Sequence, residues 1–303
     1  MSAGYSVRTG LFPTQKTQTV SIAMSLFQLI VLSVVQGITE WLPISSSGHV
    51  LLVAAWFGLL GEDELLINAM AHIGTLGSVL LYFRKDVWRA IKGGLSLVGF
   101  KADPADRRLA LLILAATPIA VVIAAGFAVL PDEITLGLRS LWVVIGTTIG
   151  FGVLLWWADQ RPGGKGEADM SFFDATLIGA SQAVAAILPG TSRSGITMTI
   201  ARARGVTRPE AARFSMLIGI PIIAASGAYA FLELASAEAG VISLTLQDGL
   251  IVAALSFVAG YASIAVLMAL LQRMSFLPFV IYRLALGAAL LLASPVGLAL
   301  IPA

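Results

Sequence analysis

The sequence predicts an all-α polytopic membrane protein with about six spanning helices and two re-entrant helical hairpins in an inverted-topology repeat. Hydrophobic residues make up 58% of the 303 residues and charged residues only 12%, about half the charged fraction of soluble globular proteins. Several apolar segments approach the roughly 20 residues that span a bilayer as a helix. Two other apolar segments contain a Leu-Pro pair followed by a Ser-rich turn, and proline and glycine interrupt a helix there.

The elements follow from the distribution of apolar residues along the chain. Residues 1–23 are polar and are expected to form an N-terminal tail, with Met24 as an alternative start. We see no small-residue cleavage site after the first apolar run, so a removable signal peptide is not expected. Residues 24–303 form a single membrane domain, with repeat one at about 24–157 and repeat two at about 172–299. Spanning helices are expected at about 64–83, 109–130, 140–157, 214–234, 249–271 and 279–299, and the interrupted stretches are about 24–60 and 172–205.

Loop charges predict the orientation of these elements. Segment 84–108 holds seven basic residues against three acids, and segment 202–213 holds four arginines against Glu210. Both segments should face the cytoplasm under the positive-inside rule. Stretch 172–205 then begins and ends inside, so it must dip into the membrane and return. Stretch 24–60 is interpreted as a matching hairpin that enters from the outside.

A sequence echo supports the repeat. Gln36 and Gln182 each stand six residues before the leucine of a Leu-Pro pair, so that Thr191 and Ser192 fall opposite Ser45 and Ser46 at an offset of 146. Inverted repeats with broken helices place their site where the breaks meet near the midplane. The sequence therefore predicts that the two hairpin tips touch and that Glu40 of one pairs with Arg193 of the other.

The first tip carries the residue types needed for reaction chemistry. Gln36 and Glu40 are separated by four residues and lie on one helical face, where their oxygens suit a hard cation. Ser45, Ser46 and Ser47 supply hydroxyls as nucleophile or donors, with Ser45 as a candidate substrate-binding residue, and His49 supplies an imidazole as base or nucleophile.

The second tip is suited to holding a phosphate. Backbone N–H groups at a helix start bind anions, and an arginine grips phosphate oxygens with two donors. The candidate phosphate-binding residues are Gly190, Ser192, Arg193, Ser194 and Thr197.

Structural roles remain open for each of these residues. The serines could serve close helix packing, Glu40 and Arg193 could form a purely structural pair, and His49 could be an ordinary hydrogen-bonded histidine. We interpret His72 as structural because it lies mid-helix, and Arg283 as a residue that snorkels or buttresses.

Two motifs carry a resemblance to a known family. The segment at 36–49, QGITEWLPISSSGH, and the segment at 189–197, PGTSRSGIT, resemble the two signatures of the bacterial undecaprenyl-diphosphate phosphatase family, also called the bacitracin-resistance protein family. The late segment at 275–283, SFLPFVIYR, also fits this family. The resemblance covers nearly the whole chain from about Met24.

The resemblance implies removal of the terminal phosphate from undecaprenyl diphosphate, which recycles the lipid carrier for peptidoglycan synthesis. It implies a divalent cation, Mg²⁺ or Ca²⁺, and a site that opens to the periplasmic face of the bacterial inner membrane. The catalytic serine and histidine map onto Ser46 and His49, and the phosphate-binding arginine onto Arg193. The glutamate-rich motif maps onto Gln36 and Glu40 as metal ligands, with glutamine where many members carry glutamate.

Two other function classes remain as alternatives. Inverted repeats with broken helices are common in ion-coupled transporters, of which a polyprenyl-phosphate flippase is one version, and a non-catalytic lipid-binding protein is the other. The expected partners are a polyprenyl diphosphate and the bilayer, with a homodimer as an open option. The basic residues cluster in loops as a topology signal, so we expect no nucleic-acid partner. The chain contains no cysteine, which excludes a thiolate nucleophile.

Overall fold

The described part of the chain is helical and contains no β-strand. A computed structural model describes residues 25–57, 62–130, 135, 137, 138, 140–236 and 245–297, so the predicted tail at 1–23 lies outside the described residues. In chain order the described α-helices are α1 (Leu26–Trp41), α2 (Ser46–Phe57), α3 (Glu62–Tyr82), α4 (Arg84–Leu95), α5 (Pro104–Ala116), α6 (Pro118–Ala128), α7 (Leu141–Asp159), α8 (Phe172–Ala180), α9 (Gln182–Ile187), α10 (Arg193–Ala203), α11 (Arg208–Ser236), α12 (Leu246–Leu271) and α13 (Leu277–Gly297).

Four helical segments of the described chain are long and apolar enough to cross a membrane. They are Pro104–Ala128, Leu141–Asp159, Arg208–Ala230 and Leu246–Leu271. The predicted spans at 64–83 and 279–299 correspond to the shorter apolar helices Ile67–Tyr82 and Leu277–Leu292. The fold is thus that of a multi-pass membrane protein.

Both interrupted stretches contain the predicted break. In the first, α1 ends at Trp41 and α2 begins at Ser46. The second contains three helices, because α8 and α9 are separate and the chain breaks again between Ile187 and Arg193. A further break divides the predicted helix 109–130 into α5 and α6, since Pro118 has no N–H to continue the hydrogen-bond ladder.

The basic segment 84–108 is more ordered than a loop. Its first part forms α4, whose Arg89 bonds to Asp86 and Glu167, and Arg213 at the start of α11 bonds to the same two carboxylates. Burial alone would raise the pKa of Glu167, but hydrogen bonds from Arg89 and Arg213 hold that pKa below its ordinary value. This ion cluster joins α4, the connection before α8, and α11.

Glycines set the close packing of α1 and α3 against α12. A Cβ added at Gly37 would lie 2.6 Å from the Cβ of Ala259, and one added at Gly74 would lie 2.1 Å from the carbonyl oxygen of Ala253. Small residues allow this backbone approach between membrane helices. The packing holds the polar face of α1, with Gln36 and Glu40, beside α3.

Candidate active site

The two helix breaks contact each other directly. The carbonyl oxygen of Leu42, just past the end of α1, accepts hydrogen bonds from Ser194 Oγ at 2.9 Å and from Ser192 Oγ at 3.4 Å. The last carbonyls of a helix have no partner within the helix, so side chains of the second break cap the end of the first helix. The predicted tip-to-tip contact is therefore present.

The two breaks also share a local conformation. Ser45 and Ser192 have φ angles of 75° and 70°, a left-handed conformation that is rare outside glycine and is concentrated at functional sites. Each serine caps the helix that follows: Ser45 Oγ accepts from Gly48 N at 3.3 Å, and Ser192 Oγ accepts from Gly195 N at 3.1 Å.

This geometry corrects the predicted correspondence by one residue. Ser192 is equivalent to Ser45, not to Ser46, because the second break contains one more residue after its Leu-Pro pair. Ser46 and Arg193 are then the equivalent first residues of α2 and α10. Both side chains reach the same carboxylate, that of Glu40.

Arg283 on α13 ties both breaks together. It is fully buried, and its guanidinium donates five hydrogen bonds of 2.9 to 3.2 Å to backbone carbonyls, namely those of Pro43, Thr147, Thr148, Gly190 and Thr191. Of the two roles predicted for Arg283, snorkelling or buttressing, the structure supports the second, since the buried side chain bonds to backbone at the centre of the protein.

We expect Arg283→Lys to destabilise the protein strongly and to lower any activity of the site. The lysine ammonium has three N–H donors on a single nitrogen and cannot reproduce the five N–H donors of the planar guanidinium. Each buried carbonyl left without a hydrogen bond costs about 1–3 kcal/mol. Thermal unfolding in detergent measures the change. Arg273→Lys, at an exposed arginine ten residues earlier, is the matched control and should unfold like the wild type; equal stability of both variants would contradict the buttress role.

Glu40 is the centre of the cluster at the junction. Its Oε2 accepts from Gln36 Nε2 at 3.0 Å and from Ser46 Oγ at 2.8 Å, and its Oε1 accepts from Arg193 Nη2 at 3.2 Å. His72 Nε2 lies 3.8 Å from Oε2. Glu40 is 6% exposed, and a buried carboxylate requires such partners. The predicted Glu40–Arg193 pair is confirmed as a contact.

Arg193 is held in place on three sides. Its guanidinium lies 5.1 Å from the ring centroid of Trp41, and Nη1 donates to the carbonyl of Ser215 at 3.4 Å. A Cβ added at Gly219 would lie 2.2 Å from Nη1, so that glycine makes room for the guanidinium on α11. Nε is buried and has no hydrogen-bond partner among the described residues.

Gln36 presents its amide nitrogen, not its oxygen, to Glu40. His72 Nδ1 lies 2.7 Å from the carbonyl of Asn68, so Nδ1 carries a proton, and in the tautomer without a proton on Nε2 that second nitrogen is an acceptor. Gln36 Nε2 is 3.4 Å from that acceptor and donates to Glu40 as well. In this arrangement Gln36 acts as a donor and is not oriented as a metal ligand.

His49 lies one helical turn beyond Ser46 on α2. Its Nδ1 is 2.6 Å from the carbonyl of Ser45, and its Nε2 is 2.6 Å from the hydroxyl of Tyr282. The two rings are stacked at a centroid distance of 5.6 Å. Nδ1 is therefore the donor, and Nε2 carries the lone pair that a base or nucleophile needs.

The other predicted substrate-binding residues have backbone partners. Ser45 and Ser192 cap helices, and Ser194 bonds to Leu42, as described above. Thr197 donates to carbonyls of its own helix and lies 2.6 Å from Ser215 Oγ. At Gly190 a Cβ would lie 2.3 Å from Thr147 Oγ1. These residues shape the junction, and direct contact of their side chains with substrate stays a prediction.

Three further residues at the junction were not predicted as site residues: His72, Tyr282 and Arg283. His72 and Arg283 carried a signal, since an ionisable residue at membrane depth indicates function by default. For Tyr282 the sequence held no comparable signal, because its contact with His49 joins residues 233 positions apart.

Comparison with known proteins assigns the family. The model of the bacitracin resistance protein BacA family matches residues 29–289. The chain belongs to this family. It is 59% identical to an undecaprenyl-diphosphatase of Hyphomonas neptunium over 281 residues, which cover 90% of this chain and 98% of that protein. It is 46% identical to an undecaprenyl-diphosphatase of Maricaulis maris, with 88% and 98% covered.

A more distant member of the family agrees with these two. An undecaprenyl-diphosphatase of Teredinibacter turnerae is 43% identical, with 89% of this chain and all of that protein covered. The resemblance carried by the two motifs is thereby confirmed. Both motifs lie within the matched residues, at the two helix breaks that form the junction.

Proposed function

We propose that this chain is a membrane phosphatase that hydrolyses undecaprenyl diphosphate to undecaprenyl phosphate and phosphate, and so recycles the lipid carrier for peptidoglycan synthesis. Its curated relatives are named for this activity. The single observation that supports it in the structure is the Glu40–Ser46–Arg193 cluster at the meeting point of two helix breaks.

The diphosphate binds at the Arg193 end of the cluster. Arg193 offers a fixed guanidinium, and α10 begins at this residue, where the N–H groups of Arg193 and Ser194 precede the Gly195 N–H that Ser192 caps. Donors fixed before the reaction stabilise the charge that develops on the phosphoryl oxygens in the transition state, because they need no reorganisation. The lipid tail stays in the apolar surroundings of the site.

Ser46 is placed to attack the terminal phosphorus. Its hydroxyl already donates to Glu40 Oε2, the arrangement of a nucleophile beside its base. An Oγ–P bond forms, the bridging P–O bond of the diphosphate breaks, undecaprenyl phosphate leaves, and the proton passes to Glu40. Water then hydrolyses the phosphoserine. The alternative nucleophile is Nε2 of His49, which Tyr282 orients.

A double-variant cycle distinguishes the two nucleophiles. If Ser46 attacks and Glu40 is its base, Ser46→Ala and Glu40→Gln should each lower kcat by about 100-fold or more, and the double variant should be no worse than either, because the two act as a unit. If His49 attacks, Ser46→Ala should lose about tenfold or less while His49→Ala loses nearly all turnover. Phosphate release in detergent is the measurement.

The divalent cation remains part of the proposal. Glu40 would hold it together with diphosphate oxygens and water, as Mg²⁺ is usually bound through one or two carboxylates and substrate phosphates. Bound there, it would offset negative charge on the diphosphate. Among the described residues no group of three or more His, Cys, Asp or Glu side chains could hold a cation. Gln36 turns its amide nitrogen, not its oxygen, toward Glu40.

The placement in the membrane is also proposed. Six spanning helices and two re-entrant hairpins, related as an inverted repeat, put the junction near the midplane of the bacterial inner membrane with access from the periplasmic side. The matched caps at Ser45 and Ser192 and the loop charges support this topology. A homodimer stays an open prediction.

Purified wild-type protein in detergent provides the test of function. We expect it to release phosphate from farnesyl diphosphate, a soluble short-chain analogue, in one stoichiometric equivalent. A transporter or flippase would release none. A mock preparation from cells that do not express the protein, purified identically, controls for contaminating phosphatases.

A further inference from the structure

An apolar groove lies between α3 and α11, beside the cluster at the junction. Its volume is about 410 Å³, within the range of about 300–1,000 Å³ found for small-molecule sites. Seven of the eight lining residues are apolar and the eighth is a histidine: His72, Ile73, Leu76, Ile223, Ala224, Gly227, Ala228 and Leu232.

The groove approaches the Glu40–Arg193 pair through one shared residue, His72 on α3. His72 lines its polar end, and the same imidazole lies 3.4 Å from Gln36 Nε2 and 3.8 Å from Glu40 Oε2. The histidine therefore separates the charged cluster from an otherwise apolar surface.

The α11 side of the groove lies farther along the same helix that holds the guanidinium of Arg193. Ser215 accepts from Arg193, and Gly219 makes room for its guanidinium. Ile223 and Gly227 follow at steps of four residues, on the same face of the helix, and line the groove. At about 1.5 Å per residue, Gly227 lies about 12 Å beyond Gly219 along the helix axis.

We propose that this groove binds the proximal part of the prenyl chain of the diphosphate substrate while the diphosphate lies at Glu40 and Arg193. The inference rests on the proposed function and adds a site for the tail. A substrate with a charged head and an apolar chain requires an apolar surface next to its charged pocket, and the groove supplies one, with His72 between it and Glu40. The small residues Ala224, Gly227 and Ala228 leave space for a chain on the α11 side of the groove.

Filling the groove tests the assignment. A Cβ added at Gly227 meets no atom within 4 Å, so a side chain can start at this position, and the ring of Gly227→Phe is used to fill the groove. The matched control is Ala225→Phe, because Ala225 is exposed on the same turns of α11 and does not line the groove. Phosphate release is measured with farnesyl diphosphate and with dimethylallyl diphosphate, which has a single isoprene unit and does not reach Gly227.

We expect Gly227→Phe to lower kcat/KM for farnesyl diphosphate by about tenfold or more and to leave that for dimethylallyl diphosphate within about twofold, since blocking a hydrophobic contact discriminates by this amount. Retained turnover of the short substrate shows that the variant is folded. Ala228→Phe, from the same wall, should give the same ratio, and Ala225→Phe should match the wild type.

Two results would overturn the tail site. Equal losses for both substrates, or the same chain-length effect in Ala225→Phe, would mean that the groove holds bilayer lipid or plays no part in substrate binding. A wild-type protein that hydrolyses neither substrate would instead overturn the proposed function, so the two failures are distinguishable.

Discussion

Arg193→Ala is expected to reduce phosphate release by about 100- to 1,000-fold, the loss typical for removing one preorganised donor from a charged transition state. The variant removes the guanidinium that contacts Glu40, Trp41 and Ser215. It also leaves the buried Glu40 carboxylate without its cationic partner, which adds a stability loss. Kinetics and thermal unfolding should therefore be measured on the same preparation.

Two variants separate the loss of the phosphate contact from a general loss of structure. Arg193→Lys keeps the positive charge but not the two-pronged geometry, so we expect it to recover part of the activity while remaining well below the wild type. Arg107→Ala removes an exposed arginine on α5 and should behave as the wild type. Near-normal turnover of Arg193→Ala would refute its role as the phosphate-binding residue.

At a saturating concentration of the divalent cation, Glu40→Gln is expected to lower kcat by about 100-fold or more without raising KM. The amide has nearly the shape of the carboxylate but cannot take the proton from Ser46, and general-base catalysis is typically worth 10²–10⁴-fold. At the same time Arg193 loses its competing carboxylate, so the guanidinium becomes freer to bind diphosphate. A fall in kcat with an unchanged or lower KM indicates a group that acts in the transition state.

The matched control for this variant is Glu210→Gln, whose carboxylate pairs with Arg213 at the start of α11. It should leave kcat and KM unchanged. A Glu40→Gln enzyme in which KM rises and kcat is retained would show that Glu40 only positions the substrate, and the assignment as a base would be wrong.

Short sequence patterns predicted the features of the site that depend on residue spacing within one segment, such as a shared helix face or the end of a helix. The spacing of Gln36 and Glu40 places both on one helical face, and their 3.0 Å hydrogen bond follows from it. The Leu-Pro pairs end α1 and interrupt the helix before α10, because proline lacks a donor. The prediction that Glu40 meets Arg193 rested on the inferred repeat, which brings the two hairpins together, and on the need of buried charges for partners. The structure has this contact.

Side-chain direction was beyond the reach of these patterns. Ser45, Ser192, Ser194 and Thr197 were expected to face substrate, yet their hydroxyls bond to backbone groups at the junction. The sequence does not distinguish a serine that caps a helix from a serine that binds a phosphate, because the backbone φ angle and the neighbouring groups decide which of the two roles it has. The offset of 146 was wrong by one residue at the caps for the same reason, since a turn can absorb an additional residue.

The sequence by itself determined that this chain is a helical membrane protein with an acid-and-hydroxyl motif and an arginine motif at two helix breaks, because hydropathy, proline and charge act locally. Only the tertiary structure decided which atoms meet: His72 beside Gln36, Tyr282 on His49, and Arg283 bonded to both breaks. These contacts join residues far apart in the chain, and they arise from how α1, α3 and α13 pack. Close packing between helices is set by the whole set of neighbouring side chains rather than by any short segment.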